Sequence, residues 1–92
     1  MPKHKEYKLK EYEKVVAILA AQKGFTIKTH FHSGSAVRFE LFVGKEEKPR
    51  KVWVIHTSHK KTRNVLSRED YRKPDLNLGV EPGTFLATLE TI

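Results

Sequence analysis

The sequence predicts an α+β domain of order α-β-β-β-α, a three-stranded antiparallel sheet with both helices on one face. Three observations predict it. Apolar residues recur at helical spacing from Leu9 to Leu19. They alternate with polar residues on both sides of Ser33-Gly34-Ser35. They return at helical spacing after Pro82-Gly83. The whole chain, residues 1–92, reads as a single domain with a small core.

The first helix rests on Leu9, Tyr12, Val16, Leu19 and Lys23, which fall at steps of three and four, with Val15 and Ile18 widening the stripe. Lys10, Glu13 and Lys14 make a solvated face that needs no function. Gly24 stands where a glycine ends a helix, and Lys23 sits in the last turn. Residues 1 to 7 read as a frayed basic start.

The hairpin follows at once. Phe25, Ile27, Thr29 and Phe31 share one face of its first strand; Val37, Phe39, Leu41 and Val43 share one face of its second. Antiparallel partners lie on the same face. Pairing Phe31 with Val37, Ile27 with Leu41 and Phe25 with Val43 therefore leaves Ser33-Gly34-Ser35 as the loop, with Gly34 free to take a positive φ. The other face then sets His32 across from Ala36, His30 across from Arg38, and Lys28 across from Glu40. It is basic and rich in histidine, and Ala36 is its one featureless member.

Lys45 to Arg50 is a polar connector with a proline. Lys51 to Thr57 reads as a third strand, β-branched and aromatic. Its facing has two solutions. Either Val52 and Val54 point to the helices and His56 points inward, or Trp53 and Ile55 point inward and His56 joins the open face. Trp53 has the larger area to bury, which favours the second.

Ser58 to Glu81 has no clean period. Ser67 can cap a short helix through Arg72, which Lys73-Pro74 would end. A connection this long is expected to be functional or partly disordered. Thr84 then caps a last helix with a stripe of Phe85, Leu86, Leu89 and Ile92. That helix is too short to stand alone and must pack beside the first one.

Eighteen Lys and Arg against eleven Asp and Glu give a net charge of +7. A small domain this basic points to a polyanion, usually nucleic acid, unless the charge serves solubility alone. Cysteine is absent, which excludes a disulfide framework, a thiolate metal site and a cysteine nucleophile. No apolar run approaches the ~20 residues of a membrane span, and the charged start lacks a signal-peptide core. A cytoplasmic protein without membrane partners is the expectation.

The order of parts resembles the HicA, or YcfA-like, toxins of toxin–antitoxin systems. The residues that carry the likeness are Gly24-Phe25 closing the first helix, Gly34-Ser35 at the hairpin turn, His56 ending the third strand, and Pro82-Gly83-Thr84 opening a helix with Phe85 and Leu89. The likeness covers most of residues 9 to 57 and 81 to 92. It implies a double-stranded-RNA-binding-domain-like fold, an mRNA-cleaving endoribonuclease that needs no metal or other cofactor, and neutralisation by a HicB-like antitoxin. Two departures matter. The family pattern at the turn is Gly-Ser-His, and that histidine is the catalytic residue; here Gly34-Ser35 is followed by Ala36. The basic insert from Ser58 to Val80 also replaces a short connection. Ala36 is then either native to an inactive copy or a replacement that silences a toxic nuclease. The second is favoured because Gly-Ser-His-Val-Arg-Phe would match the pattern.

A metal-free ribonuclease needs proton transfer at the 2′-OH and at the leaving oxygen, with cations at the phosphate. Histidine suits the first role because its charge changes near working pH. Position 36 and His32 are the candidate catalytic positions. Lys28, His30, Arg38, His56, His59, Lys60, Lys61 and Arg63 are the candidate RNA contacts, and Phe42 or Trp53 can stack on bases if exposed. His30, His32, His56 and His59 have the residue type for zinc, but without cysteine or an obvious carboxylate ligand no metal is assigned. The competing readings are a non-catalytic RNA- or DNA-binding domain on the same scaffold, and a purely protein-binding module.

The gene of origin tests the replacement reading. A histidine codon at position 36 is expected, and a native alanine codon excludes the replacement.

Overall fold

In a computed structural model, residues 6–32, 34–58 and 63–91 are described. Their order is β1 (Tyr7–Lys8), α1 (Leu9–Gln22), β2 (Phe25–Phe31), β3 (Ala36–Val43), β4 (Lys51–His56), β5 (Asn64–Val65), a 3-10 turn (Arg68–Tyr71), α2 (Lys73–Leu78) and α3 (Thr84–Thr91). The architecture is mixed α+β. A three-stranded antiparallel sheet runs β2-β3-β4, and a separate small ladder joins β1 to β5.

The sheet follows the alternation of its sequence. Phe31 pairs with Val37, Ile27 with Leu41 and Phe25 with Val43. The His32 N–H reaches the Ala36 carbonyl, which closes the loop at the expected length, and Gly34 has φ +83°. Ser33 lies outside the described residues. On β4, Trp53 and Ile55 are buried and His56 is exposed, so the second facing holds. Trp53 stacks on Phe39 with centroids 5.4 Å apart.

One face of this sheet meets the helices. Val37, Phe39, Leu41, Trp53 and Ile55 share a core with Leu9, Tyr12, Val15, Val16 and Leu19 of α1 and with Phe85 and Leu89 of α3. Burying side chains of this size stabilises the fold by about 1.5–3 kcal/mol each. Tyr12 is the hub. Its ring lies 5.3 Å from that of Phe39 and 4.7 Å from that of Phe85. Its hydroxyl accepts from Trp53 Nε1 at 3.2 Å and donates to the Asp70 carbonyl at 2.6 Å.

Three expectations need correction. The start is not frayed at Tyr7, which is buried in β1 opposite Val65; its N–H donates to the Tyr71 hydroxyl at 2.8 Å. Residues 1–5 lie outside the described set. Lys73-Pro74 opens a helix rather than ending one. Ser67 does cap the 3-10 turn by accepting from the Glu69 N–H, but Pro74 then occupies the first turn of α2, where a missing N–H costs nothing. Thr84 is not the cap of α3 but its first residue: the Gly83 carbonyl accepts from the Ala87 N–H, and the Thr84 hydroxyl turns back to donate to the Glu81 carbonyl. The cap comes from α2: the buried Asp75 carboxylate accepts from the Gly83 N–H at 2.9 Å and the Phe85 N–H at 2.8 Å. A negative charge there satisfies orphan donors and suits the helix dipole. Ile92 lies outside the described residues. The order is thus α-β-β-β-α with two short strands, a 3-10 turn and a further helix added.

The segment from Arg63 to Glu81 also covers a sheet edge. Antiparallel parity turns the N–H and C=O groups of Val52, Val54 and His56 away from β3. Asp70 accepts from the His56 N–H at 3.1 Å, and Lys73 Nζ donates to the Val54 carbonyl at 2.7 Å. Asp70 and Lys73 are themselves paired at 2.9 Å. An ion pair here occupies the place of a neighbouring strand.

Burial holds the Tyr12 phenol well above its ordinary value of 10.0, with the charges of Asp70 and Asp75 adding to the effect. The unfolded chain therefore releases this proton at lower pH than the native one, and stability falls as pH rises above 10 towards the folded value. Tyr12→Phe leaves Trp53 Nε1 and the Asp70 carbonyl unpaired, an expected loss of about 1–3 kcal/mol at neutral pH. Urea titrations from pH 7 to 11 check both points. The variant starts lower and declines less steeply above pH 10; a decline parallel to the parent contradicts the assignment.

Candidate nucleic-acid interface on the open sheet face

The face away from the helices carries the second side-chain set of each strand. Register sets it out in rows: His32, Ala36 and His56 at the hairpin end; then His30, Arg38 and Val54; then Lys28, Glu40 and Val52; then Thr26 and Phe42. Six of the predicted site residues, Lys28, His30, His32, Ala36, Arg38 and His56, are brought together here.

Ala36 has a histidine on each side, one per neighbouring strand. Strand spacing puts His32 and His56 about 10 Å apart at the backbone, with position 36 midway. Both histidines are exposed, and Ala36 is half-buried. The base beneath this row is firm. The Ser35 carbonyl accepts from the Thr57 N–H at 2.9 Å and from the Thr57 hydroxyl at 3.2 Å, and Asp70 holds the His56 N–H.

The middle of the face is organised by Glu40, only 8% exposed. Its carboxylate accepts from His30 Nε2 at 2.5 Å and from Arg38 Nη2 at 2.9 Å. Glu40 thus does not reach its cross-strand neighbour Lys28. Lys28 instead places Nζ 4.8 Å from the Phe42 ring centroid. Two of the candidate phosphate contacts are therefore restrained by an internal carboxylate. The reading of the chain as a basic face missed that clamp. Its signal is a lone acid two residues after Arg38 in a segment otherwise neutral or basic. Arg38 Nε is buried without a partner among the described residues.

Other candidates stand elsewhere. Arg63 packs its guanidinium 5.3 Å from the Phe31 ring, and Phe31 belongs to the helix-facing set, so Arg63 is not part of the open face. His59, Lys60 and Lys61 lie outside the described residues. Trp53 and Phe42 are both buried, which removes them as stacking platforms in this conformation. Among the described residues no three His, Cys, Asp or Glu side chains converge as a metal-ligand group, and no helix is long and apolar enough to cross a membrane.

The arrangement can offer cations and hydrogen-bond donors to a phosphate, and imidazoles flanking a central position for proton transfer. At position 36 itself the methyl group can do neither. Comparison with known protein families, curated proteins and solved structures finds no match to the chain.

Glu40→Gln tests the clamp. Removing one negative charge releases Arg38 and His30 towards solvent. Affinity for a single-stranded polynucleotide is expected to rise, with the slope of log K against log salt steeper by about 0.7 for each phosphate newly neutralised. An unchanged slope, measured by fluorescence anisotropy, counts against the open face as the binding surface.

Proposed function

We propose that this chain is an RNA-binding domain of the HicA toxin type. In its histidine-bearing form it cleaves mRNA and is neutralised by a HicB-like antitoxin. The observation that carries the reading is the hairpin-end row, in which Ala36 lies on the open face between His32 and His56 at the position where the resemblance expects histidine. The packing of α1 and α3 against one sheet face supports the finer double-stranded-RNA-binding-domain-like assignment.

The chemistry follows from the row. An imidazole at position 36 stands beside two others, so one group can take the proton of the 2′-OH while another donates a proton to the departing 5′ oxygen. The 2′ oxygen attacks phosphorus and the P–O5′ bond breaks, leaving a cyclic phosphate and a free 5′-OH. Arg38 lies in the adjacent row, and Lys28 in the row beyond it, as cations for the phosphate. With alanine at position 36, the face retains its cations and flanking histidines but lacks the central proton carrier. The chain as it stands therefore binds RNA without cutting it. The second reading, a non-catalytic RNA- or DNA-binding domain, is favoured by that same missing group.

Ala36→His separates the two. Cleavage of single-stranded RNA is expected to rise by about 10²-fold or more, to persist in chelator, and to arrest growth on expression unless the antitoxin is co-expressed. His32→Ala or His56→Ala in that background should lower the rate while leaving the fold intact. A folded Ala36→His protein that binds RNA in a salt-sensitive way and cuts none rejects the nuclease and leaves the binding domain.

A further inference from the structure

We infer that the outer edge of β2 is a docking site for an extended segment of a partner protein, one with acidic residues on one face and apolar residues on the other. It would add to the sheet as a fourth strand. The inference does not depend on the nuclease reading.

Parity identifies the free groups. The His32 N–H bonds the Ala36 carbonyl, so the even-numbered residues of β2 exchange hydrogen bonds with β3. The N–H and C=O groups of Phe25, Ile27, Thr29 and Phe31 then point away from the sheet. Among the described residues, no strand pairs with this edge. The contrast with β4 is direct, since that edge is occupied by Asp70 and Lys73.

The edge also lacks the devices that usually discourage pairing. It is seven residues long, contains no proline or glycine, and holds continuous register with β3, without a bulge. Its one lysine, Lys28, is drawn back over Phe42 on its own sheet and does not reach across the edge.

Charge selects the occupant. Every ionisable residue from Phe25 to His32 is basic: Lys28, His30 and His32. A second copy paired about Thr29 would set Lys28 against the partner's basic row, on a chain already at +7. Acidic residues at alternate positions of an incoming strand would instead face this row. On the other face Phe31, 59% exposed, and the half-buried Ile27 and Phe25 offer apolar contact to the intervening residues. Main-chain bonds would supply affinity and this alternation the selectivity.

Amide hydrogen exchange of the full chain tests the proposal, with a capped peptide of alternating Glu and Val as probe. Exchange at Ile27, Thr29 and Phe31 is expected to slow by about tenfold or more on saturation, while Thr26, Lys28 and His30, already bonded to β3, change little. A Lys-Val peptide, and a Glu-Val peptide N-methylated at alternate residues, should give no such protection. Lys28→Glu should weaken the Glu-Val effect. Any of four results overturns the proposal: no protection by Glu-Val; equal protection by Lys-Val; protection that grows with protein concentration alone, which indicates a second copy; or protection of the same odd-numbered amides by an RNA oligonucleotide.

Discussion

The Tyr12 hydroxyl is the contact on which most of this fold depends. It sits on the first helix, yet it bonds to a tryptophan of the third sheet strand and to a backbone carbonyl of the long connection. Its ring meets the central strand and the last helix. A phenol can do this because its body is apolar and its tip both donates and accepts. Leucine at the same place would fill the volume and leave an indole N–H and a carbonyl buried without partners. The helix, the sheet and the connection are thereby held in one relative placement, and the open face inherits its geometry from that placement.

The connection after β4 secures itself with two buried carboxylates, one paired with a lysine and one with backbone N–H groups. Asp70 and Lys73 meet each other and the edge of β4; Asp75 meets the start of α3. Each buried carboxylate has hydrogen-bond donors, which is the condition for tolerating charge in a small core. The functional consequence runs through His56. Its N–H is held by Asp70 and the N–H of the next residue, Thr57, by the Ser35 carbonyl, so one flank of the candidate site is anchored from both sides, although the segment supplying the first grip carries no periodic pattern.

The parts legible in the sequence are those with strong periodicity. The hairpin register could be read because apolar residues on both strands had to meet, and Trp53 fixed the facing of β4 through its area. That same logic placed Lys28, His30, His32, Ala36, Arg38 and His56 on one face. What could not be read is set by single contacts between distant residues. β1 and β5 are two residues each, too short for any period. Pro74 reads as a stop, but the first turn of a helix needs no N–H from it. Asp75 caps a helix that begins several residues later, and no local motif announces that reach. Glu40 was legible as the cross-strand neighbour of Lys28, but its carboxylate turns to His30 and Arg38, because two hydrogen-bonded donors hold it better than one exposed ammonium.

The plugged edge of β4 has a consequence for stoichiometry. Open-ended growth of a sheet from chain to chain needs two free edges on every copy. Here an internal ion pair occupies one of them, at the Val54 carbonyl and the His56 N–H, so two copies that met through β2 would have no second free edge of their own from which to grow. Any association through β2 is then limited to one strand per chain. A basic domain with an unguarded edge can thus remain discrete at high concentration instead of polymerising.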